Sequence, residues 1–300
     1  MTYVPSAAKQ AEANTRREEL LSKLTEGIDK LTESAEWQKY LDCQARFHHY
    51  SFRNCLLIVS QHPTATQVAS FKKWQEMGRQ VNKGETSLRI LAPSLRKVEI
   101  EAEDGKTDEV RKVTGFRLVP VFDISQTSGV ELPEPVKLLD GEAPQGVFGR
   151  LTRFAESIGF RVQVTPEVEG HPGANGLCEY GPKLITVAGE RSAAQQVKTL
   201  AHEIGHALLH GSAESRADRS VVELEAESAA YVVCSQLGMD TSGYSFGYVA
   251  VWQGGDAEKV RDQIKASGGR IQQASSAIID GLERAAEKAD PEADLDFEAA

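Results

Sequence analysis

Long apolar runs are missing from this sequence. No stretch approaches the roughly 18 consecutive apolar residues of a membrane-spanning helix. The opening MTYVPSAAKQAEANTRREELL has no apolar segment behind a basic head, as a secretory signal would. The expected location is the cytoplasm, with no membrane partner. Cysteine is scarce too: Cys43, Cys55, Cys178 and Cys234 are scattered and none forms a Cys-x-x-Cys pair, which removes zinc knuckles and dithiol redox motifs. They read as reduced, small packing residues. No repeat of about 20 to 50 residues recurs, which excludes solenoids and propellers. An excess of positive charge is also absent. The formal net charge is −10, which argues against nucleic-acid binding over the whole surface.

What is present is a chain of 300 residues, 40% hydrophobic and 26% charged, with room for about two globular domains. Its charge is uneven. Residues 37–122 carry fourteen Lys and Arg against nine Asp and Glu, whereas residues 256–300 carry six against eleven. A basic module is the first requirement for gripping a phosphate backbone.

The patterning predicts an α+β fold in two domains, 1–128 and 147–255, joined by a linker at 129–146 and followed by an acidic helical extension at 256–300. Leu20, Leu21, Leu24, Ile28 and Leu31 recur at helical spacing and predict a helix over 6–36. A second is expected over 37–59, ended by His62-Pro63. VASFKKWQEMG reads as a short helix closed by Gly78, Asn82-Lys83-Gly84 as a turn between two strands, and 95–122 as a hairpin with a charged tip. The linker carries three prolines and two glycines in ELPEPVKLLDGEAPQG. Beyond it come a helix from Val147 to Ile158, a strand at FRVQVTP, a strand pair around Leu177 and KLITVAG, and helices from Ser192 and from about Val221. The edge around Leu184 to Val187 is expected to pair with an extended peptide. The charge of the extension suits solvation.

The strongest chemical signal is His202-Glu203-Ile204-Gly205-His206. Two histidines four apart on a helix share a face and lie about 6 Å apart along its axis, so one ion can reach both. The glutamate after the first histidine is held beside the open coordination position, where it can take a proton from a metal-activated water and pass it to a leaving amine. This is the HExxH arrangement of zinc metallopeptidases. Leu209 stands where the HExxHxxGxxH variant would have its glycine, so a third ligand must come from elsewhere. Glu223, Glu225 and Glu227 open the next helix, and Glu223 and Glu227 share a face. Glu-x-x-Ala-acid looks like the third-ligand helix of gluzincins, which favours Glu223 as ligand and Glu227 as its support, with the reversed assignment open. His210 reads as a helix-terminal residue, and Tyr244 and Tyr248 as candidates for stabilising an oxyanion.

These motifs carry a resemblance. TLAHEIGHALLHG followed by VELEAESAAYVV looks like the compact zinc peptidase domain of the ImmA/IrrE and ArdC groups. YSFRNCLLIVSQHPTATQVASFKKWQEMGRQVNKGETSLRILAP with PVFDISQT is similar to the N-terminal single-stranded-DNA-binding domain of ArdC-type antirestriction proteins. The resemblance implies an N-terminal α+β domain that binds single-stranded DNA and a C-terminal zincin-like, gluzincin metallopeptidase domain. It also implies a Zn2+ cofactor, a protein or peptide substrate, and protection of incoming plasmid or phage DNA from restriction. It places His202, His206 and Glu223 on the metal and Glu203 on catalysis. More loosely, it places Lys72, Lys73, Trp74, Arg79 and Lys83 on DNA, where Trp74, Tyr50 or Phe71 would stack a base. Two other functions fit the same residues: a non-catalytic DNA-binding protein with structural zinc, and a repressor-cleaving regulatory metallopeptidase.

Overall fold

The computed structural model describes residues 7–101, 107–131, 143–211, 218–241, 244, 246, 249, 252 and 256–287. Along the chain run α1 (Ala7–Lys30), α2 (Ser34–Arg46), α3 (Phe52–Gln61), β1 (Val68–Ala69), α4 (Phe71–Glu76), β2 (Arg79–Val81), β3 (Leu88–Glu101) and β4 (Thr107–Asp123). After a 3-10 turn at Ile124–Gln126 come β5 (Thr127–Gly129), α5 (Val147–Ser157), β6 (Arg161–Thr165), β7 (Gly176–Glu179), β8 (Leu184–Ala188), α6 (Ala193–Leu209), α7 (Arg219–Gln236) and α8 (Ala257–Glu287). Contacts divide this α+β chain into two compact units, Met1–Gly27 with Arg53–Leu132, and Ile28–Phe52 with Pro133–Ala300.

The division is not a single cut along the sequence. Residues 28–52 group with the second unit because α2 packs on α7, where the buried Trp37 indole donates to Ser228 at 3.0 Å and the Tyr231 hydroxyl donates to Asp42. The two expected long helices are each interrupted, between Lys30 and Ser34 and between Arg46 and Phe52. At the second break the buried Gln44 amide donates to the carbonyls of Phe47, His48 and Tyr50 at 3.5, 3.5 and 3.4 Å. Those carbonyls thereby gain partners although the helix does not continue.

In the first unit β3 and β4 form one long antiparallel hairpin, from Leu88 opposite Val121 to Glu101 opposite Thr107, with an irregularity at Ser94/Leu95. Residues 102–106 at its tip lie outside the described residues. The hairpin starts earlier than residue 95, and the turn at Asn82-Lys83-Gly84 joins strands of different sheets, because β2 pairs with β5 and not with β3. Gln126 directs this: its carbonyl accepts from Asn82 N at 2.9 Å and its amide donates to Thr86 O at 2.8 Å. The outer edge of β3 is covered by two amides of α3. Asn54 and Gln61 each both donate to and accept from the backbone, at Leu91 and Arg89 respectively, all at 2.9 Å. Side chains thus stand in for a neighbouring strand and leave those backbone groups paired. Trp74, Val68, Leu88, Ile90 and Val121 form the buried interior, each side chain contributing about 1.5–3 kcal/mol.

The second unit holds a three-stranded sheet of order β6-β8-β7, with β6 parallel and β7 antiparallel to β8. Leu184–Ala188 is therefore the central strand, paired on both sides. This corrects the expectation of a free edge there, since β7 is an outer strand. Helix α6 turns Val197, Leu200, Ala201 and Ile204 inward, and α7 turns Leu224, Ala226, Ala229, Val232 and Val233 inward. Helix α8 packs on α5 and α7 through Ile264, Ile271 and Ile278, which recur every seven residues and are fully buried. Over residues 257–287 the extension is therefore part of the unit.

Candidate functional site

Ser192 caps α6 by accepting from Gln195 N, and Asp218 caps α7 by accepting from Ser220 N. The two helices cross at Gly205, where a methyl group would lie 3.3 Å from both the Cα and the carbonyl oxygen of Ala226. The missing side chain permits this approach. It brings the face bearing His202 and His206 against the face bearing Glu223 and Glu227.

There the two Nε2 atoms of His202 and His206 stand 3.0 Å apart, with Glu223 Oε2 3.6 Å from the first and 3.8 Å from the second. The circle through these three atoms has a radius of about 2.0 Å, matching the roughly 2.0–2.2 Å bonds of a divalent ion such as zinc to histidine nitrogen and carboxylate oxygen. The donor set therefore fits one divalent metal.

The opposite ring nitrogens are each held by a separate partner. His202 Nδ1 lies 3.0 Å from Glu227 Oε2, and Glu227 Oε1 lies 3.3 Å from Lys198. His206 Nδ1 lies 3.2 Å from His210 Nδ1, and His210 Nε2 lies 3.2 Å from Glu225. Glu225 also accepts from Ser267 at 2.6 Å and from Arg270 on α8. A carboxylate beside His202 Nδ1 requires a proton there. The chain ending at Glu225 places protons on His206 Nδ1 and His210 Nε2 in the same way. Both Nε2 atoms are left as lone pairs directed at one point, next to a carboxylate. That is a cation site.

The charged groups of the cluster also shift one another. Burial lowers the His202 pKa, but Glu223 and Glu227 outweigh it and push it up to about 9. The His202 and His206 imidazoles beside it hold the Glu223 carboxyl far below its ordinary range. Glu203 is buried beside the cluster and pushed up to about 7, first by burial and then by Glu223, against the pull of His202. Its carboxylate rests on β7, where a methyl group at Gly176 would lie 2.8 Å from Glu203 Oε1 and 2.5 Å from Thr199 Cγ2.

Three features of this site have no signal in the sequence. Glu225 and Arg270 complete the support of His206, and His210 relays it instead of merely ending the helix. Tyr180, 39% exposed in the β7–β8 turn, has its phenol pushed up to about 12 by burial and then by Cys178, Glu203 and Glu223, which places it in the field of the site. Tyr244 is directed elsewhere: its hydroxyl donates to Cys234 Sγ at 3.4 Å and its ring lies beneath Lys198 Nζ. Tyr248 lies outside the described residues.

The DNA-contact residues expected in the first unit do not converge. Trp74 is 1% exposed and its indole donates to Phe122 O at 2.9 Å, so it is a core residue and not a stacking platform. Arg79 spends its guanidinium on the Thr127 hydroxyl and carbonyl, at 2.8 and 3.0 Å, and on Val130 O, fastening β2 to β5. Lys72, Lys73 and Lys83 are exposed, as is Phe71. On the hairpin, Leu95 stands opposite Val113 and Pro93 opposite Phe116, and Leu95, Val113 and Phe116 are each about half exposed beside Arg96, Lys112 and Arg117.

Comparison with known proteins gives two family matches. Residues 14–122 match the N-terminal domain of anti-restriction factor ArdC, and residues 155–234 match the peptidase M78 family, the IrrE N-terminal-like domain. An uncharacterized protein of Bacillus anthracis is 26% identical over 323 residues, covering 94% of this chain and 53% of its own length. The chain thus spans about half the length of that curated relative. Crystal structures of the antirestriction ArdC protein from plasmid R388, metal-free and Mn(II)-bound, are 22% and 21% identical, with TM-scores of 0.46 and 0.45. Each alignment covers 77% of this chain, with 85% and 84% of the respective R388 chains.

Proposed function

This chain is an ArdC-type protein, and from that premise we propose that it binds single-stranded DNA through its first unit and hydrolyses peptide bonds at a zinc site in its second, in an antirestriction role. The observation that carries the catalytic half is the convergence of His202 Nε2, His206 Nε2 and Glu223 Oε2 beside a buried Glu203. Two imidazoles and one carboxylate are the donor set of zinc hydrolases, three protein ligands with a position to spare. Zinc bound there supplies a Lewis acid that polarises a carbonyl and acidifies water.

The protein's own groups do the rest. Glu203 holds the proton taken from water on its carboxylate and returns it to the leaving amine. A carboxyl pushed up to about 7 can both accept and give a proton at neutral pH. Glu227 and His210 keep the two ligand imidazoles in the tautomer that leaves each Nε2 basic. Tyr180 stands in the same field and is the candidate donor to a developing oxyanion. The outer strand β7 offers a backbone edge beside Glu203 on which an extended peptide can lie. In the first unit the exposed Phe116, flanked by Arg96, Lys112 and Arg117, replaces Trp74 as the aromatic able to stack a base.

The test is Glu203→Gln against a fluorescence-quenched peptide library at matched zinc content, beside anisotropy with a labelled single strand and a duplex. We expect cleavage to fall by about 10²–10⁴-fold, with zinc and DNA binding retained. Cleavage at the parental rate would rule out Glu203 as the proton carrier. Preference for the duplex, or no binding at moderate salt, would rule out the single-strand assignment and favour a regulator-cleaving peptidase.

A further inference from the structure

A second group of metal-ligating side chains lies in the same unit, distinct from the α6–α7 centre. His48 and His49 occupy the turn between α2 and α3, and Asp280 and Glu283 occupy successive turns of α8. One ligand atom from each lies within 4.8 Å of the others. His49 Nδ1 is 3.9 Å from Asp280 Oδ1, and the two imidazole rings stand 3.9 Å apart between centroids.

The turn is built to hold this arrangement. The His48 carbonyl accepts from Gln272 at 3.2 Å and from Ser276, so its backbone is tied to α8. Gln272, Ser276, Asp280 and Glu283 follow at spacings of four, four and three, a single stripe along one helix face. The carboxylates thereby come beneath the histidines. His48 itself is 7% exposed, yet among the described residues neither ring nitrogen has a hydrogen-bond partner. A buried imidazole with both nitrogens unpaired is rare and calls for a ligand, and a bound ion is one of the few things that supplies it.

We propose that His48, His49, Asp280 and Glu283 form a second metal site, for a transition-metal dication of the zinc class, that clips the α2–α3 turn to α8. Two imidazoles disfavour calcium and magnesium, which take oxygen ligands, and a mixed set of two nitrogens and two carboxylates suits zinc, cobalt or nickel. Four protein donors close a tetrahedral shell, so this ion fastens structure and activates no water.

Equilibrium dialysis of the full chain against zinc, with metal counted per chain, tests it. The parental protein is expected to hold two equivalents, His202→Ala/His206→Ala one, and Asp280→Asn/Glu283→Gln one. Asp280 and Glu283 are not buried, so their replacement spares the fold. Cobalt(II) titration of His49→Ala is the second measurement, and the visible absorption of one equivalent should be lost. Unchanged zinc content in Asp280→Asn/Glu283→Gln would overturn the second site. A single parental equivalent that disappears with His202→Ala/His206→Ala would overturn it too, while leaving the α6–α7 centre intact. A single equivalent lost only with Asp280→Asn/Glu283→Gln would uphold it and remove that centre instead.

Discussion

The α6–α7 pair and the first unit hold their polar side chains by opposite means. Across α6 and α7 the charged groups face one another under cover: Glu227 supports His202, and Glu225 with His210 supports His206, so the donor atoms have one arrangement before any ligand arrives. In the first unit Lys72, Lys73 and Lys83 point to water, and the inner polar groups serve the backbone. Trp74 donates to a carbonyl, Arg79 fastens two strands, and Asp123 accepts from four donors on Thr66, Gln67 and Ser125. One region is a preorganised point, and the other is a surface whose ligand must do the organising.

The comparison breaks first if Trp74 belongs to the surface. Trp74→Ala should destabilise the first unit by about 3–5 kcal/mol, read by denaturant unfolding, because it empties a core position. Trp74→Phe should then bind a labelled oligonucleotide as the parent does. A large loss of DNA affinity in a stably folded Trp74→Phe would return this indole to the binding face. The second test sharpens the other side. Gly176→Ala puts a methyl group where Glu203 Oε1 and Thr199 Cγ2 now lie, at 2.8 and 2.5 Å, and leaves the three metal donors untouched. Activity should fall by up to about 10²-fold with full zinc content, since a displacement of that order at a catalytic group costs about that much. Parental turnover would mean that Glu203 tolerates displacement.

How much of this was legible depended on whether the relation is local. His202, Glu203 and His206 share one helical stretch, so spacing alone places them on one face, and a single crossing at Gly205 adds Glu223 and Glu227. The apolar periodicity of α5, α6, α7 and α8 was readable for the same reason. The break after Arg46 was not, because it depends on the Gln44 amide meeting carbonyls farther along the chain. Nor was the partner of β2, which is chosen by Gln126 more than 40 residues away. Arg270 supports the metal centre from 45 residues beyond Glu225, a distance at which one sequence carries no pairing signal. The burial of Trp74 was hidden on the same ground: Trp74 and Phe116 differ in exposure, and exposure is a property of the folded sheet.

Asp123 allows a smaller test of the first unit. Burial would raise its pKa, but donors from Ser125, Thr66 and Gln67 outweigh this and hold it below its ordinary value of 3.8. A carboxyl whose folded value is depressed stabilises fully above its unfolded value and loses that contribution as pH falls through the folded one. Unfolding of the first unit should therefore ease as pH drops below about 4. Asp123→Ala, costing about 1–3 kcal/mol at neutral pH, should flatten that dependence. An equally steep acid transition in the variant would assign it to other carboxyls.

The smallest effect on stability belongs to the lysines. Lys72 and Lys73 have side chains 87% and 61% exposed and share Glu76 at 3.8 and 3.5 Å. Exposed pairs of this kind are worth about 0.2–1 kcal/mol at most, so Lys72→Ala/Lys73→Ala should unfold within about 0.5 kcal/mol of the parent. The informative readout is binding. If both lysines lie on phosphates, the slope of log affinity against log salt for a single strand becomes shallower by about 0.7 per lysine. An unchanged slope would move the phosphate track to Arg96, Lys112 and Arg117 on the β3–β4 hairpin. Lysines paired only loosely with an exposed Glu76 can shift their contacts in that way, whereas the His202 and His206 imidazoles, each fixed by a second side chain, have nowhere else to go.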